Sequence, residues 1–374
     1  MIKKFYDLGK LNKPYKKKFF ESIKKIFDSG FYISGKYVNL FENNFSKFNN
    51  SKYSIAVGNG YDAIRLSLEL FKYKKICNFG DEVIVPANSY IATILPVNAA
   101  GLKPIFVEPE EKGFNLDPVD LENKITKKTK IVIVTHLYGN IADMDKILEI
   151  TNKYKLKVIE DCSQAHGAKY KKKFSGNFGD VGCFSLFPSK NLGAIGDAGI
   201  VTTNIKNYAQ ILRSIRNYGE EDFINYTNRK YKNLLKGFNS RMSEIDAALL
   251  NLKIKDLKKN NLERSKKAKY YLQNIKNKKI NLPHINKNCF PVWHQFLVLS
   301  TKRNKLKKYL KKNGFETKIV YPIPPHKQLA YREMNKISYP VTERIHKQNL
   351  CLPIEPHLEK KDLKKIVKLI NEFK

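Results

Sequence analysis

The amino-acid sequence predicts an α/β fold, in which a large three-layer α/β/α domain with a mostly parallel sheet precedes a smaller α/β domain. Short apolar runs alternate with segments of helical periodicity as far as Thr203. This alternation is typical of a parallel sheet covered by helices on both faces. The chain has 374 residues, enough for one large core and a smaller one. We place the boundary inside a long helical stretch, so that residues 1–255 form the large domain and residues 256–374 the small one.

The predicted elements of the large domain follow from the spacing of apolar residues. Apolar positions recur at helical spacing in residues 17–27 and, less regularly, in residues 40–48. Short strands then alternate with helices. Strands are predicted at residues 53–57, 82–86, 103–107, 130–135, 157–160 and 182–187, and helices at residues 61–71, 90–100, 143–154 and 208–216.

The pattern changes in the second half of the chain. A polar and irregular segment covers residues 220–236. It is followed by one long helical stretch, at residues 243–272, and by the predicted small domain. Strands of the small domain are expected near residues 293–299 and 317–321, and its helices near residues 302–313 and 362–373.

The formal net charge of +35 is the most unusual property of the composition. A strongly basic chain is typical of nucleic-acid-binding proteins, so this class is one alternative. However, only nine of the 70 basic residues are arginines, and the lysines are spread over the whole chain. No helix-turn-helix or zinc pattern occurs. We therefore expect the lysines to lie on solvated faces, with no nucleic-acid partner, although the charge would attract an anionic substrate.

Cysteine usage and hydropathy predict a cytoplasmic protein. The cysteines are odd in number, scattered and without metal-ligand spacing, so we expect reduced thiols and no metal site. They are Cys77, Cys162, Cys183, Cys289 and Cys351. No apolar run reaches the roughly eighteen residues that a membrane span needs. The basic amino terminus lacks the apolar core of a signal peptide.

Asp161 and Lys190 are the candidate catalytic residues. Asp161 ends one predicted buried strand, and Lys190 follows the next one among small and turn-forming residues. Because ligands collect at the carboxyl ends of parallel strands, both side chains can face one ligand. Pyridoxal phosphate requires such a pair: an amine that forms a Schiff base and an acid that keeps the pyridine nitrogen protonated. The alternative is a solvated lysine and an aspartate that caps a helix.

Three blocks of sequence favour the cofactor interpretation. They are residues 160–168 (EDCSQAHGA), 184–199 (FSLFPSKNLGAIGDAG) and 237–242 (GFNSRM). In order and spacing these blocks resemble the sugar-nucleotide aminotransferases of the DegT/StrS type. The resemblance extends over the chain from the amino terminus to the last helix. The resemblance implies a pyridoxal-phosphate-dependent transferase of fold type I, with Lys190 as Schiff-base partner and proton shuttle and Asp161 beside the pyridine nitrogen. The shuttle requires a Lys190 pKa well below its ordinary value of about 10.4.

Residues 58–63 (GNGYDA) follow a predicted strand and open a helix, and they fit the dinucleotide fingerprint. On this motif alone, a nicotinamide-dependent oxidoreductase is an alternative. Small residues at a helix amino terminus let backbone amides approach any phosphate, however. The resemblance assigns this turn to the phosphate of pyridoxal phosphate, through Gly60, Tyr61 and Asp62. The nicotinamide alternative leaves Lys190 without a role.

The resemblance implies four further cofactor contacts. Tyr90, which could otherwise be a core aromatic residue, would stack on the cofactor ring. Gln164 would contact the phenolic oxygen of the ring, and Ser185 would bind the phosphate. Asn239 would reach the phosphate from the partner subunit. These assignments imply a homodimer with shared active sites.

Two further blocks indicate the substrate by resemblance. Residues 216–219 (RNYG) and 321–326 (YPIPPH) look like those of the branch that aminates the C3 ketone of a nucleotide-linked 6-deoxyhexose. The implied substrate is a dTDP-linked keto sugar, with L-glutamate as amino donor, in the biosynthesis of a surface polysaccharide or glycoconjugate. Tyr218, Tyr321 and His326 are the predicted substrate contacts. The C4 enzymes tend to have His in place of Tyr218.

Two departures from that branch leave the identity of the hexose open. Val320 stands where the branch usually has His, and Phe187 stands where it often has Tyr, so each removes a polar group. Amination at C4, or of a nucleotide-linked hexuronate, is therefore retained as the alternative within the class. A dehydratase relative, which has His in place of the Schiff-base lysine, is excluded by Lys190.

Overall fold

The computed structural model describes residues 2–220 and 232–374 of the chain. The predicted polar segment at residues 220–236 therefore lies largely outside the described residues. As far as the fifth strand, the elements are α1 (Leu8–Asn12), α2 (Lys16–Ser29), α3 (Lys36–Asn49), β1 (Tyr53–Val57), α4 (Gly60–Tyr73), β2 (Glu82–Pro86), α5 (Ile91–Ala99), β3 (Lys103–Val107), α6 (Pro118–Asn123), β4 (Thr129–Thr135), α7 (Met144–Lys153) and β5 (Lys157–Asp161). They are followed by β6 (Lys169–Tyr170), β7 (Lys173–Phe174), β8 (Val181–Ser185), β9 (Gly199–Thr203), α8 (Lys206–Ile215), α9 (Glu244–Asn274), β10 (Cys289–Phe290), β11 (Phe296–Leu299), α10 (Arg303–Lys312), α11 (Pro340–Gln348), β12 (Asn349–Leu352) and α12 (Lys360–Glu372).

The large domain is built on a seven-stranded sheet with the strand order β1-β9-β8-β5-β4-β2-β3. Neighbouring strands from β8 to β3 run parallel, whereas β9 pairs antiparallel with both β1 and β8. The predicted mostly parallel sheet is thus confirmed. At its centre, Asp161 lies opposite Thr135 on one side and opposite Cys183 on the other. The carboxyl ends of β4, β5 and β8 therefore meet at one edge of the sheet.

Helices cover both faces of this sheet, as β1 illustrates. Ile55 and Val57 pack into a core with residues of α4, α5 and α8, whereas Ala56 belongs to a different core with residues of α3 and α9. Successive side chains of a strand point to opposite faces. A strand that is buried on both faces therefore appears in the sequence as a continuous apolar run, which explains why the large-domain strands were predictable.

The small domain has a core of its own around β11 and β12, which pair antiparallel. There Phe296 packs with Tyr271 of α9 and Leu306 of α10. The long helix α9 contributes to two cores, because its Leu257 belongs to the core that also covers the large sheet. The division of the chain at residue 255 remains a prediction.

One prediction for the small domain is wrong, and a second is confirmed only in part. Residues 317–321 form no strand, and a single bridge joins Lys318 to Cys351. The strand predicted at residues 293–299 begins only at Phe296, because Trp293 adopts a positive φ of 49° that no strand contains. The helix α11 and the four-residue strand β12 were not among the predicted elements. Among the described residues, no helix is both long enough and apolar enough to cross a membrane.

Candidate active site

A cavity of about 580 Å³ lies at the sheet edge where β4, β5 and β8 end. Both domains contribute to its wall, since His294, Gln295 and Tyr321 of the small domain line it with residues of the large one. Its volume suits a ligand of cofactor size. Most of the predicted site residues line this cavity, namely Gly60, Tyr61, Tyr90, Asp161, Gln164, Ser185, Lys190 and Tyr321.

Asp161 is held at the end of β5 by donors that the sequence did not indicate. Its Oδ2 accepts a hydrogen bond from the Thr93 hydroxyl at 2.7 Å, and its Oδ1 accepts one from the Ser163 amide at 3.1 Å. The Ser89 hydroxyl lies 2.8 Å from that of Thr93 and 3.4 Å from that of Thr135. An ionised carboxylate can only accept, so Thr93 donates to Asp161 and Ser89 donates to Thr93. The hydroxyl chain is therefore oriented towards the carboxylate.

Lys190 lies in the turn after β8, where its amide donates to the carbonyl of Phe187 at 2.8 Å. The side chain is half-buried and lines the cavity. Burial lowers the pKa of Lys190 to about 8, although the negative charge of Asp161 opposes this shift. Within residues 2–220 and 232–374 its ammonium group makes no hydrogen bond or ion pair. Near neutral pH a larger fraction of Lys190 is therefore uncharged than of a solvated lysine.

The amino terminus of α4 forms another part of the wall. The Asn59 side chain caps this helix by accepting from the third helical amide at 2.8 Å. The amides of Gly60 and Tyr61 have no acceptor in the part of the chain that the structure describes. A Cβ atom on Gly60 would lie only 2.5 Å from the Cβ of Ser185, so glycine lets the helix approach β8 closely. Free amides at a helix amino terminus suit a phosphate group.

Gln164 and Tyr321 form a second wall beside the Tyr90 ring. The rings of Tyr90 and Tyr321 are stacked, with centroids 4.8 Å apart. The Gln164 Nε2 donates to the Tyr321 hydroxyl at 3.2 Å, while its Oε1 accepts from the Tyr138 amide at 2.6 Å. Burial raises the pKa of Tyr321 above its ordinary value, so the phenol stays neutral. The Tyr321 ring is thus fixed in position by a buried amide.

Two predicted site residues have side chains that are already engaged elsewhere. The Asp62 carboxylate accepts from the Ser240 hydroxyl at 2.7 Å, and the Asp62 amide donates to Asn59. His326 is fully buried, with its Nε2 3.1 Å from a carboxylate oxygen of Glu343. Neither residue lines the cavity. The structure therefore does not bring Asp62 or His326 to the site, because both serve local hydrogen bonding.

Asn239 and Tyr218 lie next to each other on the surface, outside the cavity of their own chain. Asn239 is exposed and forms an isolated bridge with Asn217. Tyr218 is 45% exposed, and the Arg241 guanidinium lies 5.3 Å from the centre of its ring. Both roles predicted for these residues would require a second chain.

Two buried histidines lie close to Lys190. The His166 Nε2 is 2.9 Å from the carbonyl oxygen of Ser185, and the His294 Nδ1 is 3.1 Å from the Asn191 amide oxygen. Burial and the nearby Lys190 lower the pKa of His166 to about 3, and the same causes lower the pKa of His294. Both rings are therefore neutral and add no positive charge beside Lys190. Neither was predicted, because a lone histidine carries no pattern in sequence.

A separate buried cluster consists of His136, Glu160 and Cys162. Their atoms that could bind a metal ion lie within 4.8 Å of one another. The Glu160 carboxylate lies 2.9 Å from the His136 Nε2 and accepts from three backbone amides within residues 176–179. The His136 Nδ1 accepts from the Ala142 amide at 3.3 Å. These internal hydrogen bonds account for the cluster, and we assign it a structural role.

A comparison with protein families matches the DegT/DnrJ/EryC1/StrS aminotransferase family over residues 14–371. The chain belongs to this family. Aminotransferases of the DegT family depend on pyridoxal phosphate, so the predicted enzyme class, fold and cofactor are confirmed. The nicotinamide alternative is not supported.

Individual DegT-family proteins resemble this chain over nearly its full length. It is 43% identical over 369 residues to the dTDP-3-amino-3,6-dideoxy-alpha-D-galactopyranose transaminase of Aneurinibacillus thermoaerophilus, with 99% of each chain covered. The crystal structure of Streptomyces venezuelae DesV in complex with a ketimine intermediate superposes with a TM-score of 0.94, at 36% identity and 100% and 98% coverage. The structure of NtdA from Bacillus subtilis with bound cofactor PMP has a TM-score of 0.90, at 31% identity and 99% and 84% coverage.

The residues of the cavity fit the DegT-family cofactor. The free amides of Gly60 and Tyr61 suit its phosphate, and the half-exposed ring of Tyr90 suits a flat heterocycle. Asp161 offers a buried carboxylate for the pyridine nitrogen, and Lys190 offers an amine of lowered pKa for the aldehyde.

Proposed function

We propose that this enzyme transfers an amino group from L-glutamate to the C3 ketone of a dTDP-linked 3-keto-6-deoxyhexose, in the biosynthesis of an amino sugar for a surface polysaccharide or glycoconjugate. The observation that carries the reaction type is the pair of Lys190, with its pKa lowered to about 8, and Asp161 in one cavity. The choice of C3 is supported by the relative from Aneurinibacillus thermoaerophilus, whose name states a 3-amino sugar product. We expect the reaction to take place in the cytoplasm.

Bound pyridoxal phosphate supplies an electron sink and carries the amino group between donor and acceptor. Lys190 has two tasks in this reaction. Its neutral amine would hold the cofactor, and when released it would take up and return a proton at Nζ, for which a pKa of about 8 is suitable. The neutral His166 and His294 leave that pKa free of a further positive neighbour.

Asp161 would provide a fixed negative charge for the pyridine nitrogen of the bound cofactor. The Thr93 hydroxyl and the Ser163 amide hold its two oxygens in place, so little reorganisation is needed during the reaction. Tyr321, held by Gln164, closes the small-domain wall beside the reacting atoms and limits access of water. The Tyr321 hydroxyl is the predicted contact to the sugar.

The proposal includes a homodimer with shared active sites. Its support is that Asn239 is exposed, although the predicted role of its amide is to bind the cofactor phosphate. Tyr90 and Phe187, which line the mouth of the cavity, are also about half-exposed. Exposed aromatic residues around a cavity mark a surface that a partner covers. Asp62 and His326 are not included in the proposed site, for the reasons given above.

The reaction is tested with a panel of 3-keto and 4-keto nucleotide sugars and glutamate as the amino donor. The holoenzyme should be yellow, its visible band should be bleached by borohydride, and NMR of the product should place the amine at C3. A product aminated only at C4 would contradict the substrate proposal and leave the aminotransferase reaction intact. A protein without the visible band would contradict both.

The shared site is tested by subunit exchange. Lys190→Ala and Asn239→Ala dimers should each have little activity, and mixed dimers should regain part of it. In a mixed dimer one site lacks both residues and the other site is intact. Failure to regain activity after verified exchange would show that each chain builds its own pocket.

A further inference from the structure

Lys318 is a cation on the small-domain wall of the cavity, and it has no anionic partner among the residues that the structure describes. It lines the cavity and is half-buried. Its Nζ lies 4.6 Å from the ring centre of Tyr6 and 5.8 Å from that of Phe5. Across the described ranges, 2–220 and 232–374, this ammonium group forms no ion pair and no hydrogen bond. The charge is therefore free to attract an anion that enters the cavity.

Tyr6 supplies a second donor at the same place. The Tyr6 hydroxyl accepts a hydrogen bond from Gln295 Nε2 at 3.1 Å, and both residues line the cavity. Burial raises the pKa of Tyr6, so the hydroxyl keeps its proton. No acceptor for that proton is recorded in the described chain. A cation and a neutral O–H donor therefore line the same cavity, and neither has an acceptor among the described residues.

The other groups near Lys318 do not use its charge. Val320, the next residue of this segment that lines the cavity, is apolar. Asp161 is held by Thr93 and Ser163 at the end of β5. The cofactor phosphate has its own place at the start of α4, where two amides are free. The donors on the small-domain wall are thus available to a different anion.

We propose that Lys318 and the Tyr6 hydroxyl form an anion-binding subsite for the substrates. This inference rests on the proposed function, because both substrates of that reaction carry an oxyanion. The amino donor has carboxylates, and the nucleotide sugar has a diphosphate next to the sugar. A compact ammonium group with an adjacent hydroxyl binds either kind of oxyanion through charge-assisted hydrogen bonds. Lys318 is accordingly a specificity-determining residue.

The test is the binding of two anionic probes to the holoenzyme, measured by isothermal titration calorimetry. Thymidine diphosphate represents the nucleotide, and glutarate represents the donor without its amine. Lys318→Met removes the charge but keeps a long unbranched apolar side chain, and Lys318→Arg keeps the charge. Lys307→Met is the control, since Lys307 is also half-buried, lies outside the cavity and has no partner in the described residues.

Lys318→Met loses the charge-assisted contact. Its affinity for one of the two probes should therefore fall by roughly ten- to a hundredfold. Lys318→Arg should retain most of the affinity, and Lys307→Met should equal the wild type. Selective loss of thymidine diphosphate identifies the diphosphate as the anion, and selective loss of glutarate identifies the carboxylate. If the affinity of Lys318→Met for both probes is within twofold of the wild-type affinity, the proposed subsite is overturned. A wild-type holoenzyme that binds neither probe would overturn the subsite and the proposed function together.

Discussion

Removing the Thr93 hydroxyl should impair the enzyme through Asp161, although Thr93 itself need not touch the cofactor. The two side chains are 2% and 4% exposed, and the Thr93 hydroxyl donates to the Asp161 carboxylate at 2.7 Å. A buried hydrogen bond to a charged group contributes about 1.5–3 kcal/mol. If the carboxylate loses that amount of stabilisation in the reaction, kcat/KM of Thr93→Val falls by roughly ten- to a hundredfold.

Two further variants show how much of the loss of activity is due to the hydrogen bond between Thr93 and Asp161. Thr93→Ser keeps the hydroxyl and should remain close to the wild type. Ser89→Ala removes the neutral contacts of its hydroxyl with Thr93, at 2.8 Å, and with Thr135, at 3.4 Å, and should have a smaller effect, of about 0.5–1.5 kcal/mol. Both half-reactions are followed by the absorbance of the cofactor under single-turnover conditions. Urea unfolding of the holoenzymes separates loss of stability from loss of activity.

The decisive measurement combines Thr93→Val with Asp161→Asn. If Thr93 acts by holding the carboxylate, its replacement should cost little more activity once that carboxylate is gone, and the double-mutant cycle should show strong coupling. Independent effects of the two substitutions would refute this reasoning. So would Thr93→Val with activity within twofold of the wild type.

Four further outcomes follow from the same site. Lys190→Ala should abolish transamination and the borohydride-sensitive band while non-covalent cofactor binding survives gel filtration; turnover within a few-fold of wild type would remove Lys190 from the mechanism. The pKa of Lys190 is lowered to about 8, and only the neutral amine attacks an aldehyde, so covalent attachment of the cofactor to the apoenzyme should accelerate up to about pH 8 and then level off; a midpoint near pH 10 would contradict this. Tyr321→Phe removes the hydroxyl predicted to contact the sugar, a loss of about 1–3 kcal/mol, so kcat/KM for the keto sugar should fall roughly ten- to a hundredfold with the glutamate half-reaction little changed. Gly60→Ala sets a Cβ atom 2.5 Å from that of Ser185, so cofactor affinity in a fluorescence titration of the apoenzyme should fall, and unchanged affinity would argue against a phosphate site at this turn.

The large sheet and the centre of the site were predictable from sequence because both depend on local pattern. β1, β2 and β3 match the predicted ranges, since each is an apolar run between turn-forming residues. Asp161 and Lys190 follow such runs, and the sheet then brings them to one edge. The contact of Thr93 with Asp161 could not be predicted, because it joins residues 68 positions apart and depends on how α5 packs against β5.

The failed strand prediction at residues 317–321 concerns the wall that faces the substrate. In a regular strand successive side chains point to opposite faces, so Val320 and Tyr321 could not both line one cavity. Here Lys318, Val320 and Tyr321 all line it, and only one bridge joins the segment to β12. The Val320 amide donates to the side-chain oxygen of Asn349 and not to a backbone carbonyl of a neighbouring strand. An irregular segment can therefore offer a cation, an apolar surface and a phenol to one ligand, and its apolar pattern alone does not reveal this, because the pattern is that of a strand.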